Sequence, residues 1–249
     1  MASSGIITFL SDFGTQDWFV AAVKGEILKI CNKAVIIDIS HAITPHDVQS
    51  AAFVLSNAYK SFPPGTVHVV VVDPGVGSDR RAILVESHDH VFVAPDNGVL
   101  SFVMDQDARV YEIPIPDDAS ATFHGRDVFA QTAARCTLDQ AKTYKMIASA
   151  DCIQFSFPKI SVGTARIKGA IVYIDIFGNM ITNIPTSYEL KAVSMDQVAI
   201  PIVPNYAEGR KDMAIAVRGS SGFYEIAVNK GNAQERYQGR IGKEVIGER

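Results

Sequence analysis

Val69-Val70-Val71-Val72-Asp73-Pro74-Gly75-Val76-Gly77-Ser78-Asp79-Arg80 is the stretch whose reading decides the fold. A run of consecutive valines reads as a strand buried on both faces, the kind found inside a parallel sheet. The run stops at an acid, and Pro74, Gly75 and Gly77 force a tight turn. Ligands of open α/β sheets bind beyond the carboxyl ends of the strands, which is where this reading puts Asp73. Arg80 follows within reach of the same turn, so a carboxylate and a guanidinium share a strand's end.

The pattern recurs. Ile6-Ile7-Thr8-Phe9-Leu10 runs into Ser11-Asp12-Phe13-Gly14, and His90-Val91-Phe92-Val93-Ala94 runs into Pro95-Asp96-Asn97-Gly98. A third polar cluster, Phe123-His124-Gly125-Arg126-Asp127, opens an apolar helical pattern. Helical spacing is expected over Asp17–Lys33, Asp47–Phe62, Val99–Met104 and Asp127–Arg135. Strands are expected at Ala34–Ile39, read as buried, and at Ala82–Val85, Val91–Ala94 and Arg109–Ile113. This alternation implies an α/β class: a mostly parallel sheet with helices on both faces. Beyond about residue 160 the helical periodicity fades. Short β-type runs at Ala165–Ile176, Met180–Ile184, Val198–Val203, Ala214–Val217 and Phe223–Val228 predict a smaller antiparallel, barrel-like domain. The expected domains are therefore 1–160 and 161–249.

With 249 residues, 47% apolar and 20% charged, the composition is that of a globular protein. A net charge of -4 without a Lys/Arg run argues against nucleic acid as a partner. Cys31, Cys136 and Cys152 form no Cys-x-x-Cys pair; three widely spaced thiols suggest a reducing, cytoplasmic setting. The chain enters its first strand after Met-Ala-Ser-Ser, with no expected leader, and no apolar run is long enough to span a bilayer. His41 and His46 flank a loop containing Pro45 and read as structural, and Trp18 reads as helix packing.

Six motifs occur in order: Thr8-Phe9-Leu10-Ser11-Asp12-Phe13-Gly14, Asp38-Ile39-Ser40-His41, Val71-Val72-Asp73-Pro74-Gly75-Val76-Gly77, Ala94-Pro95-Asp96-Asn97-Gly98, Phe123-His124-Gly125-Arg126-Asp127 and Asp175-Ile176-Phe177-Gly178-Asn179. Together they resemble the S-adenosylmethionine hydroxide adenosyltransferase family, which is similar to the fluorinating and chlorinating adenosyl transferases. The resemblance covers nearly the whole chain. It implies attack of water or hydroxide on the 5′ carbon of S-adenosyl-L-methionine, giving adenosine and L-methionine, with no cofactor or metal. It implies a homotrimer with sites between neighbouring subunits. Matched by motif position, Asp73, Arg80 and His124 would handle the water and Asp12 would hold the ribose hydroxyls. Phe177, Asn179 and the backbone at Ala233 would surround the adenine; Ser220, Ser221 and Asp17 would take the methionine portion. Two departures stand out: Gln131 where many relatives have proline, and Gly219-Ser220-Ser221 where an asparagine commonly precedes the serine. Halogenating relatives have a tyrosine at the place of Asp73 and a hydroxyl residue at that of Val76, so both residues here favour water over halide.

The chemistry suits the residues. A sulfonium leaves as a neutral thioether and needs no general acid, so the site must align a nucleophile and exclude stray water. Asp73 can orient the water or take its proton, Arg80 can stabilise hydroxide character, and His124 titrates in a range that allows a proton relay. Three rivals remain at this stage: a halide-using relative, a metal-dependent nucleotide or nucleoside hydrolase, and a non-catalytic binding module. Asp12, Asp73, His124 and Asp127 suit a divalent ion by type, although no His-x-His or Asp-x-Asp pair fixes one. A non-catalytic adenosine-binding module would need Asp12 and Asn179 but not Asp73 or His124. Neither Gly-x-Gly-x-x-Gly nor a Gly-Lys-Ser/Thr loop is present, which disfavours nicotinamide and P-loop chemistry.

Overall fold

A computed structural model describes residues 3–138 and 144–249, and the chain divides into two compact units, Met1–Phe155 and Ser156–Arg249. The first unit runs β1 (Ile6–Ser11), α1 (Phe19–Ile30), β2 (Val35–Ser40), α2 (Val48–Ala58), β3 (Val67–Val71), β4 (Ala82–Ser87), β5 (His90–Pro95) and β6 (Arg109–Ile113). A π-helical segment, Gly125–Ala130, then leads into α3 (Gln131–Thr137), and β7 (Lys145–Ile147) follows. The sheet order is β2-β1-β3-β5-β4-β6-β7.

Pairings among β2, β1, β3 and β5 are parallel, whereas those of β5 with β4, β4 with β6 and β6 with β7 are antiparallel. The sheet is thus mixed, and the reversal has a local cause. His88 and Asp89 join β4 to β5 with φ of +50° and +61°, a two-residue primed turn that leaves no room for a crossover helix. Side-chain alternation along β3 feeds two cores. Val69 and Val71 meet α1 (Val23, Ile27) and Phe129 on one face; Val70 and Val72 meet α2 (Ala51, Leu55) and Phe92 on the other. Helices therefore cover both faces.

Two expectations fail. The strand read as buried at Ala34–Ile39 is the sheet's edge, with Val35 and Ile37 exposed, because among the described residues only β1 pairs with it. Val99–Met104 is not helical. Ser101 N–H donates to Gly98 O and Val103 N–H to Leu100 O, so successive turns bury Val99, Leu100 and Val103 without a helix. Gly98, at φ +93°, starts that segment outside the helical region.

The second unit contains β8 (Ser161–Val162), β9 (Arg166–Ile174), β10 (Met180–Pro185), β11 (Ala192–Met195), β12 (Val198–Pro201), β13 (Ala214–Arg218), β14 (Phe223–Val228), α4 (Ala233–Tyr237) and β15 (Glu244–Glu248). The order β12-β11-β15-β9-β10-β14-β13, with β8 beside β9, is antiparallel throughout. A bridge between Ile202 and Ala216 nearly closes it into a barrel around Ile167, Ile171, Met180, Val193, Ile226 and Val245. Among the described residues, no helix is long and apolar enough to cross a membrane, and all three cysteines are free.

Candidate active site

β3 ends at Val71, and Asp73 opens the turn beyond it: Val76 N–H donates to Asp73 O and Ser78 N–H to Gly75 O. Gly77 sits at φ +78°, and a Cβ there would lie 2.3 Å from the Ala121 carbonyl oxygen. Only glycine lets this turn pack against the loop that leads into His124. The turn brings Arg80 back onto Asp73. Arg80 Nε donates to Oδ1 (3.0 Å) and Oδ2 (3.1 Å), and Nη2 also donates to Oδ2. Both side chains are buried, Arg80 8% and Asp73 5% exposed.

Arg80 Nη2 also donates to His124 Nδ1 at 2.9 Å. A guanidinium can only donate, so Nδ1 must accept, which assigns the proton of the neutral ring to Nε2. Burial and then the Arg80 charge hold the His124 pKa below its ordinary value, outweighing the opposite pull of Asp73 and Asp127. Arg80 Nη1 is buried with no hydrogen-bond partner among the described residues.

The neighbouring charges are committed elsewhere. Arg81 Nε and Nη2 donate to Asp96 Oδ2 (3.0 and 2.7 Å), and the other Asp96 oxygen accepts from Ile153 N–H. Asn97 Nδ2 donates to Val72 O (2.8 Å), tying this loop to the end of β3. Asp127 accepts from Ser120 N–H and from Arg126, which holds its carboxyl below the usual range through the Arg126 hydrogen bond against the effect of burial. It is Arg80, not Arg81, that joins Asp73 and His124.

Asp12, Asp73 and His124 line one cavity of about 310 Å³, whose apolar wall includes Phe13, Val76 and Phe123. Asp12 Oδ2 accepts from His46 N–H (2.9 Å), and His46 stands in the left-handed region at φ +69°. Asp17 is exposed and lies outside this lining. Trp18, 58% exposed, packs edge-on to Phe123 at 5.4 Å between ring centroids. Among the described residues, no three His, Cys, Asp or Glu side chains converge as a set that could hold a metal ion.

In the second unit, Asp175 closes its own loop. Oδ1 accepts from Phe177 N–H (2.9 Å) and Asn179 N–H (2.8 Å), and Oδ2 accepts from Asn179 Nδ2 (2.9 Å). Gly178, at φ +79°, allows Asn232 to approach where a Cβ would lie 2.1 Å from its Oδ1. Phe177 and Asn179 line a second cavity of about 430 Å³ with Tyr206, Lys230 and Asn232. Phe177 is 71% exposed; Asn179 gives one Nδ2 hydrogen to Asp175 and keeps its amide oxygen and the other Nδ2 hydrogen for a ligand. Ala233 is fully buried at the start of α4, one residue beyond Asn232. Ser220 and Ser221 lie in the turn between β13 and β14, outside the lining of this cavity. Sequence reasoning missed Tyr206, whose hydroxyl donates to the buried Glu225; burial raises both groups' pKa values.

Models of the SAM hydroxide adenosyltransferase N-terminal and C-terminal domains match residues 7–146 and 169–246. The chain belongs to the SAM hydroxide adenosyltransferase family. One relative, the (R)-S-adenosyl-L-methionine hydrolase of Methanocaldococcus jannaschii, is 35% identical over 92% of this chain and 90% of its own. A fluorinase of Actinoplanes sp. is 27% identical over 90% and 91%. Among solved structures, a conserved protein of Thermotoga maritima superposes with a TM-score of 0.86 at 32% identity, covering 98% of this chain and all of that one. The Asp73–Arg80–His124 cluster falls within the part matched by the family's N-terminal domain, and the Phe177–Asn179 cavity within the part matched by its C-terminal domain.

Proposed function

We propose that this protein hydrolyses S-adenosyl-L-methionine to adenosine and L-methionine, and that its substrate is the (R) sulfonium epimer named for its relatives. The observation that carries the reading is that Asp73 and His124, joined by the buried Arg80, line one cavity with Asp12. Water attacks the 5′ carbon, the carbon–sulfur bond breaks, its electron pair stays on methionine as a neutral thioether, and one proton leaves the water. Arg80, buried behind the Asp73 and His124 that line the cavity, supplies fixed positive charge to the two groups that face the developing hydroxide. Asp73 accepts from Arg80 at both oxygens and keeps lone pairs to orient the water and receive its proton. With Nδ1 accepting from Arg80, His124 offers Nε2–H as a donor, which suits holding the water oxygen better than deprotonating it. Asp12 would hold the ribose hydroxyls.

Phe177, Asn179 and the Ala233 backbone are the proposed adenine contacts; Ser220, Ser221 and Asp17 are assigned to the methionine portion by motif position alone. The reaction as proposed uses no cofactor or metal, which fits an Asp73 carboxylate already occupied by a guanidinium. Assembly as a homotrimer with sites between subunits, and a cytoplasmic setting, complete the proposal; light scattering on the purified protein tests the trimer. The decisive assay is chromatographic: purified protein with each sulfonium epimer, in EDTA, with and without chloride. Equal adenosine and methionine from the (R) epimer, independent of EDTA and chloride, is the expected result. A 5′-chloro-adenosine product, loss of turnover in EDTA restored by metal, or saturable binding without turnover would overturn it.

A further inference from the structure

Ser11, His41 and Asp38 stand in the order of a nucleophile, base and acid. Ser11 Oγ lies 2.7 Å from His41 Nδ1, and His41 Nε2 lies 3.0 Å from Asp38 Oδ1. The second contact is off the N–H axis, an electrostatic rather than a well-formed hydrogen bond, for Nε2 has no aligned acceptor. The Asp38 carboxyl, raised by burial but lowered more by Lys24 and His41, stays below its ordinary range. Its charge favours the tautomer with the proton on Nε2, so the Ser11 hydroxyl donates to Nδ1. Yet Ser11 has no exposed surface and is absent from the cavity lining, so no substrate carbon reaches its oxygen.

What the arrangement grips is the loop carrying Asp12. Phe13 N–H donates to Ser11 Oγ (3.3 Å), and Gly14 N–H donates to the His41 carbonyl (2.7 Å). His41 thus holds the Ser11–Gly14 segment at both ends, through its ring and its backbone, with that ring packed edge-on to Phe9 at 4.7 Å. At the far end of the loop that follows His41, between β2 and α2, His46 N–H reaches the Asp12 carboxylate. We infer that His41, acting through Ser11, is a positioning residue that aims the Asp12 carboxylate into the cavity. This rests on the reading of Asp12 as the group that holds the nucleoside.

The test is adenosine binding by calorimetry, with steady-state kinetics, on Ser11→Ala, His41→Leu, His41→Asn and Asp12→Ala, alone and combined. A lost hydrogen bond is worth roughly three- to tenfold in affinity, so Ser11→Ala and His41→Leu should weaken adenosine by about that factor. KM should rise in parallel, with kcat within about twofold, since the reacting atoms are not touched. His41→Asn, whose amide oxygen can accept in place of Nδ1, should recover most of the affinity. In the Asp12→Ala background, neither Ser11→Ala nor His41→Leu should weaken adenosine further. Additive losses in that background, or wild-type affinity in Ser11→Ala while Asp12→Ala is impaired, would overturn the positioning role alone. Undiminished adenosine binding by Asp12→Ala, or none by the wild type, would overturn the reading of Asp12 itself and the inference with it.

Discussion

Lowering the pH from 7 to 5 should cost this fold stability through a pair of histidines far from the reacting groups. Thr8 Oγ1 lies 2.7 Å from His68 Nδ1, and His68 Nε2 lies 3.0 Å from His90 Nδ1, a chain across β1, β3 and β5. His68 is fully buried and His90 nearly so. Burial and then the neighbouring His90 push His68 from its ordinary 6.5 down to about 3, and burial also lowers His90. With the folded pKa below the unfolded one, the unfolded chain takes up the extra proton as pH falls below 6.5. Stability is therefore complete above that pH and drains away through the window down to about 3. At pH 5 the loss for one histidine held neutral is 2.303RT per pH unit over the interval from 6.5, or about 2 kcal/mol. Set against a typical total of roughly 5–15 kcal/mol, that is a measurable share. Urea denaturation followed by circular dichroism at pH 7.5, 6 and 5 supplies the curve for the wild type and for His68→Gln, which keeps a donor and an acceptor in the chain. Other titrating groups affect both proteins alike, so the variant should lose about 2 kcal/mol less than the wild type between pH 7.5 and 5. Equal losses would mean that His68 is protonated in the folded protein, and would refute the reasoning.

Three further outcomes follow from the site. Asp73→Asn should lower kcat by roughly 10²–10⁴-fold and destabilise by about 3 kcal/mol, because it leaves the Arg80 charge buried without its partner; turnover by chromatography and a urea curve check both. Gly77→Ala, whose Cβ would meet the Ala121 carbonyl at 2.3 Å in a positive-φ backbone, should cost about 2 kcal/mol or more and lower kcat by displacing the loop before His124; Tm and kcat measured together are the check. Since burial and Arg80 both depress His124, the acid limb of the kcat/KM profile due to this residue should lie below pH 6.5 and move upward in Arg80→Gln, as a pH series on both proteins would reveal.

How much of this was legible in the sequence depends on what each residue's own neighbours dictate. The strands at Ile6–Ser11, Val67–Val71 and His90–Pro95 are plain because β-branched and aromatic runs admit little else. The edge position of β2 was not, because burial of Val35 and Ile37 depends on a second neighbour strand, and none is found among the described residues. The reversed β4 turns on His88 and Asp89 adopting positive φ, a tendency too weak in these residues to read ahead. β11 and β15 escaped because a four-residue Ala-Val-Ser-Met run and a glycine-interrupted Glu-Val-Ile-Gly-Glu run carry little β signal of their own. In the site, Asp73 and His124 stood out as polar groups beside apolar elements. The choice between Arg80 and Arg81 did not, since adjacent residues in extended backbone project to opposite sides and only the turn's hydrogen bonds set the register. Tyr206 had no sequence signal at all, because its meeting with Glu225 crosses 19 residues of loop and strand.

The charge state of the cluster connects these observations to the substrate. Asp73 and Arg80 cancel, so the cluster's net charge rests on His124. A protonated His124 would place a cation beside the cavity proposed here for the sulfonium, and two like charges in a partly dehydrated site repel far more than in water. Burial first, and then the Arg80 charge and its N–H donated to Nδ1, oppose that second proton on the ring. In the proposed reaction the same guanidinium serves twice: it helps to keep the imidazole neutral so that the cation can enter, and it holds in place the Asp73 carboxylate that faces the water. A lysine in its place could carry the charge but not the fork, which needs two nitrogens on Asp73 while one of them still reaches His124.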